Sequence, residues 1–210
     1  MDLYKMSVWQ VFLAGGPVMW PILLCSIFAV AIVIEKFWHL YKIKIDSREF
    51  LESILDKIKR HEIKDALTKC DNTKSPIANI LKAGILKYDR SRPQIKESIE
   101  DAALFEIPKL EKNLTALATL AHISPLLGLL GTVTGMVRCF QTIQTKATSF
   151  HPVSPGDLAG GIWEALLTTV LGLVVAIPTF VAYNYLVSKI NNFILEMEKA
   201  STELVNFLTE

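Results

Sequence analysis

Charge is absent from long parts of this chain where a soluble protein would need it. No Asp, Glu, Lys or Arg occurs from Met6 to Ile34, from Asn113 to Val137 or from Ala165 to Ser188. Each of these stretches exceeds the roughly 20 residues that a helix needs to cross the hydrocarbon core of a bilayer. Cysteine is also scarce. Cys25 and Cys139 fall in or beside the apolar stretches and Cys70 in the charged segment between them, a scattered odd number that implies no disulfide framework. Neither charge sign is in excess, with 22 Lys and Arg against 21 Asp and Glu. The chain therefore lacks the basic field that a phosphate backbone requires, and nucleic acid is not expected as a partner. The charged segment has no catalytic triad, no metal-ligand spacing and no Gly-rich phosphate loop, so no enzyme activity, metal or cofactor is expected.

What is present is apolar and segregated. Hydrophobic residues make up 51% of the chain and the mean hydropathy is +0.35, while residues 39–112 hold 16 of the 22 Lys and Arg and 13 of the 21 Asp and Glu. The pattern predicts an all-α integral membrane protein: an N-terminal segment 1–16, a first span 17–38, a water-exposed helical segment 39–112, a second span 113–140, a loop 141–159, a third span 160–188 and a C-terminal helix 189–210 that prolongs the third span. Lys36, His39, Lys42, Lys44 and Arg48 follow the first span, whereas Lys5 is the only basic residue before it. The positive-inside rule then puts the N-terminus and the 141–159 loop in the periplasm and the charged segment and C-terminus in the cytoplasm. Asp2 and the run into Glu35 and Lys36, with no small-residue cleavage site, argue against a cleaved leader.

Within the charged segment, Phe50, Leu51, Ile54, Leu55 and Ile58 recur at helical spacing after the candidate caps Asp46 and Ser47. Ile77, Ile80, Leu81, Ile85 and Leu86 form a second stripe. Pro93 is placed to open a third helix through Ile95, Ile99, Ala102, Ala103 and Ile107. The expectation is a bundle whose charges form a solvated face.

The spans carry the candidate chemistry. At about 100° per residue, Glu164, Thr168, Thr169, Gly172, Ala176, Thr179 and Tyr183 share one face of the third span, opposite Leu166, Leu167, Val170, Leu173, Val174 and Ile177. In the second span Ser124, Gly128, Gly131, Thr132, Gly135, Cys139 and Thr142 cluster, and Leu126, Leu130, Val133, Met136, Val137 and Phe140 point away. A face of small and hydroxyl-bearing residues suits either a polar lumen or a tight helix contact, and Gly131-x-x-x-Gly135 suits packing as readily as function. Lipid takes the bulky face. Glu164 is a carboxyl group within a span: it is either an interfacial carboxylate favoured by a helix N-terminus or a protonatable site on an ion path, with Thr132, Thr168 and Thr169 as hydroxyls able to donate and accept. His122 reads as a packing or interfacial residue and Arg138 as one that snorkels to the outer headgroups. Pro125 and Pro178 mark kinks. Two threonines and a carboxylate suit protons or sodium ions.

The segments Pro125-Leu-Leu-Gly-Leu-Leu-Gly-Thr-Val-Thr-Gly-Met136 and Gly161-Ile-Trp-Glu-Ala-Leu-Leu-Thr-Thr-Val-Leu-Gly-Leu-Val-Val-Ala-Ile-Pro178, followed by Tyr183-Asn184, resemble the MotA/TolQ/ExbB proton-channel family, above all its ExbB and TolQ branches. The likeness covers nearly the whole chain. It implies a homopentamer whose second and third spans line a central pore, an ExbD-like or TolR-like dimer whose single spans occupy that pore, and coupling to the outer membrane through a TonB-like or TolA-like protein. It also implies that Glu164, Thr132 and Thr169 belong to a polar lining associated with proton passage. Thr168 departs from the family, which often has a small apolar residue there. MotA itself resembles the chain less, having four spans and a larger cytoplasmic domain. The rival reading from another class is a membrane scaffold that assembles partners without conducting. A solute transporter would need more spans or an internal repeat.

Overall fold

A computed structural model of the chain describes residues 8–148 and 154–209. All elements among the described residues are helices: α1 (Val8–Ala14), α2 (Met19–Ile43), α3 (Ser47–Lys59), α4 (Ile63–Asn72), α5 (Pro76–Ile85), α6 (Arg92–Glu111), α7 (Leu114–Thr148) and α8 (Pro155–Thr209). Three helices, α2, α7 and α8, are long and apolar enough to cross a membrane. The protein is all-α and multi-pass. The chain divides into two compact units, Met1–Ile34 with Thr115–Asn184, and Glu35–Leu114 with Tyr185–Glu210.

The apolar unit is organised by side-chain size. Leu126, Val133, Val137 and Phe140 of α7 and Leu166, Val170, Val174 and Ile177 of α8 are exposed, whereas Ser124, Cys139, Thr168, Ala176 and Thr179 are buried. Bulky residues on the outside and small ones inside is the order expected when lipid, rather than water, is the solvent. Leu167 departs from the helical-wheel expectation and is buried. α7 and α8 run on through Pro125 and Pro178. Near the latter, Thr179 Oγ1 donates to the Val175 carbonyl at 2.7 Å, one way a membrane helix satisfies backbone groups around a proline. The helices also occupy residues 141–148 and 155–159, which the sequence reading gave to a loop. The reason is local: 141–148 contains no Gly or Pro, and Thr142 and Thr145 hydroxyls donate to carbonyls four residues back, at 2.9 and 2.8 Å. Of the rest of that loop, Ser154 lies outside the helices and residues 149–153 lie outside the described residues.

The charged unit is a helical bundle. Asp46 caps α3, its carboxylate accepting from the Arg48 and Glu49 amides at 3.1 Å. Pro93 falls in the first turn of α6, and the Ser91 amide donates to Gln94 Oε1 at 3.3 Å. Ile54, Ile77, Leu81, Ile85, Ile95 and Leu204 are fully buried. A helix that the sequence reading did not separate, α4, follows a turn at His61, whose φ is +58°. A second such residue, Asn113 at φ +65°, separates α6 from α7. Its side chain donates to Glu35 at 2.7 Å, and the adjacent Lys36, almost wholly buried, donates from Nζ to the Leu110 carbonyl at 2.9 Å. A cation at a helix C-terminus satisfies carbonyls that have no partner within the helix.

Candidate functional site

The site begins with glycines. A Cβ on Gly128 would lie 3.0 Å from the Thr168 carbonyl oxygen and 3.1 Å from Thr169 Cα, and one on Gly172 would lie 2.7 Å from the Ser124 carbonyl oxygen and 3.1 Å from Gly128 Cα. One on Gly135 would meet the Gly161 carbonyl at 2.6 Å, and one on Gly131 would strike the Thr168 side chain. The small faces of α7 and α8 are therefore pressed together as one seam, backbone to backbone. Lipid provides no hydrophobic drive for helix association, so this close approach, with its dispersion contacts and interhelical hydrogen bonds, holds the pair.

The hydroxyls sit along that seam in different states. Thr168 is fully enclosed and donates to the Glu164 and Ala165 carbonyls of its own helix, at 3.2 and 2.8 Å. Thr169, half-buried, donates across the seam to Gly128 O at 3.2 Å and also lies 3.3 Å from the Ala165 carbonyl. Thr132, also half-buried, donates to Leu129 O at 2.6 Å. Each hydroxyl proton is thus engaged with a backbone carbonyl, while the oxygen lone pairs stay available to accept. Such a hydroxyl enters a proton chain only by rotating.

At one end of the seam stands a charge pair. Arg138 Nη1 donates to both carboxylate oxygens of Glu164, at 2.6 and 2.5 Å, with the Glu164 side chain 10% exposed and that of Arg138 47%. Glu164 lies in the third turn of α8, which starts at Pro155. That is beyond the first turn, where a helix N-terminus stabilises an anion, so the guanidinium opposes its charge instead. Arg138, read from the sequence as a headgroup-seeking residue, is here the counter-ion of a buried carboxylate. The corner between α1 and α2 closes over the pair. Gly16 has φ +71°, and a Cβ there would strike the Glu164 carboxylate and lie 3.2 Å from Arg138 Nη1. Only glycine satisfies both the turn and the approach. His122 is remote from this pair in sequence; its Nδ1 donates to Ala118 O at 2.7 Å and its ring meets Phe180 edge-on at 5.8 Å.

The ion pair had a sequence signal. Arg138 is the only charged residue between Lys112 and Lys146, Glu164 is the only one between Asp157 and Lys189, and the two are equidistant from position 151. In an antiparallel hairpin, equal distance from the turn places residues level. The contribution of Gly16 had no comparable signal, because it depends on the path of a different helix.

Residues 72–199 match the model of the MotA/TolQ/ExbB proton channel family. The chain is 34% identical over 173 residues to biopolymer transport protein ExbB-like 3 of Synechocystis, covering 82% of this chain and 81% of the other. It is 37% identical to the biopolymer transport protein ExbB of Aquifex aeolicus over 56% of this chain and 76% of that one. It is also 41% identical to the Tol-Pal system protein TolQ of Haemophilus influenzae, over 41% of this chain and 36% of that one. The matched region contains the whole of the α7–α8 seam and its charge pair, and the chain belongs to the MotA/TolQ/ExbB proton channel family, on its ExbB and TolQ side.

Proposed function

We propose that this chain is the stator wall of a proton-driven inner-membrane motor, working with an ExbD-like or TolR-like single-span partner to energise transport or maintenance at the outer membrane. The observation that carries the reading is the pairing of the buried Glu164 carboxylate with the half-exposed Arg138 at the end of a close-packed hydroxyl-bearing seam. A charged pair in a membrane helix hairpin costs several kcal/mol in desolvation and is kept where it serves an ion path or fixes a geometry. In this reading the Arg138–Glu164 pair sets the field at the outer end of the path. Thr132 and Thr169, the two half-buried hydroxyls, contact the partner's span, and Thr168 buttresses the seam. The titrating group that moves belongs to the partner.

The same reading assigns residues 1–16 and 141–159 to the periplasm, spans to 17–38, 113–140 and 160–188, and residues 39–112 and 189–210 to the cytoplasm, following the basic residues after the first span. It also assembles five copies around a pore. Leu104 and Phe105 on α6, each more than 70% exposed, are apolar surface outside the spans for copies to bury. A membrane potential supplies about 2.3 kcal/mol per charge per 100 mV, so one proton drives a modest rearrangement and several a large one.

A scaffold that assembles the same partners without conducting is the second reading, favoured by the engagement of all three threonine hydroxyls with backbone carbonyls. Cells that depend on this chain for energised outer-membrane uptake distinguish the two. Conduction requires that Thr169→Val abolish uptake while the complex still assembles. Assembly with full uptake in that variant would leave the scaffold.

A further inference from the structure

In the charged unit a groove runs between the C-terminal part of α2 and the middle of α8. One end is lined by Phe37, Leu40 and Tyr185, the other by Lys44, Lys189 and Asn192. Its position along the chain is informative: Tyr185 belongs to the uncharged stretch that ends at Ser188, and Lys189 is the first charge after it. The groove therefore starts where the apolar helix ends and continues into the polar region. Phe37 stacks on Tyr185 with ring centroids 5.5 Å apart and planes 15° from parallel, making an aromatic floor. Lys189 Nζ lies 5.5 Å from the centroid of the Tyr185 ring.

The charges at the polar end are unbalanced. Neither Lys44 nor Lys189 forms an ion pair among the described residues. Glu196 also lines the groove and accepts the Ser47 hydroxyl at 2.6 Å, which leaves two ammonium groups against one carboxylate. Tyr41, which also lines the groove, and Trp38, next to Phe37 in sequence, are exposed, as aromatic side chains are at the depth of headgroups. A net positive end with two ammonium groups and a carboxamide, beside an apolar trough, matches a phosphate ester that carries hydrocarbon. A free phosphate would leave the aromatic floor uncovered. A choline headgroup would bring a further cation against the two ammonium groups.

We infer that this groove binds an anionic phospholipid, with the headgroup phosphate between Lys44 and Lys189 and an acyl chain along Phe37 and Tyr185. Basic pockets between membrane helices on the side facing the anionic leaflet recognise headgroups in this way. The bound lipid would tie the ends of the first and third spans to one leaflet.

Native mass spectrometry of the detergent-solubilised full chain tests this, with phosphatidylglycerol and phosphatidylcholine as probes and inorganic phosphate as competitor. The expected result is a single retained phosphatidylglycerol per chain at a concentration where phosphatidylcholine is not retained, and no displacement by millimolar phosphate. Lys44→Gln/Lys189→Gln should weaken retention by about thirtyfold. Lys44→Arg/Lys189→Arg should keep it, and the exposed control pair Lys64→Gln/Lys74→Gln should bind as the parent does. Circular dichroism of each variant confirms that the helices remain. Equal retention of the two lipids, displacement by phosphate alone, or equal binding by the Lys44→Gln/Lys189→Gln and control pairs would overturn the assignment.

Discussion

Replacing Glu164 by Gln leaves the side chain's size unchanged and removes the charge that opposes Arg138. Because Arg138 is half-exposed and retains access to water or headgroups, the cost should be about 1–3 kcal/mol, below that of stranding a fully buried charge. Arg138→Gln, which strands the more deeply buried carboxylate, should cost more, and the double variant should recover part of the loss. A double-mutant cycle of thermal stability in detergent checks this, and additive losses would show that the pair is not coupled. Gly16→Ala combines a strained backbone with a collision at the carboxylate, so it should destabilise by about 1–3 kcal/mol and loosen the α1–α2 corner, measurable as faster amide exchange there. In the charged unit, burial pushes the Cys70 thiol up from 9.0 to about 11. The folded chain then holds that proton more tightly than the unfolded one. The associated stability is full below pH 9 and is lost as the pH rises toward 11. Cys70→Ala should flatten the fall in melting temperature over that window, and an unchanged slope would exclude Cys70 as its source. At this scale the sequence displayed the residue types of the site but only part of their use. Glu164 stood out as a carboxylate in a span, whereas the partnership with Arg138 required the hairpin to be in register, and the role of Gly16 required the path of α1 into α2.

The helices themselves were legible wherever pattern and punctuation coincide. Asp46 before an apolar stripe and Pro93 behind Ser91 marked true starts of α3 and α6, because an acceptor at the cap and a proline in the first turn each satisfy or remove a free amide. The start of α4 was hidden because His61 makes a left-handed turn normally signalled by glycine. The extension of α7 to Thr148 was hidden because threonines, weak helix formers in water, satisfy their hydroxyls on the carbonyls one turn back. At the seam of α7 and α8, the small-residue faces left two uses open, and the geometry shows close backbone contact. Gly131→Leu should separate the two helices at Thr168. Cysteine crosslinks placed between α7 and α8 near Gly128 and Thr169 should then form more slowly, while crosslinking at the parent rate would mean that the seam does not depend on Gly131.

For the molecule as a whole, the distribution of charge decided the class before any motif was read: three uncharged stretches and a charge-rich segment are a membrane protein with a polar bundle. In the function proposed above, the seam and its charge pair are a wall with a fixed field rather than a complete relay, the hydroxyl protons of Thr132, Thr168 and Thr169 resting on backbone carbonyls. Conduction by such a wall depends on a partner. Proton flux into liposomes under an imposed potential measures this directly, comparing the chain alone, the chain with its single-span partner, and the same complex carrying Thr169→Val. A wall that conducts only around a partner gives flux only in the unmodified complex, with all three preparations assembled. Flux from the chain alone, or undiminished flux in the Thr169→Val complex, would contradict it.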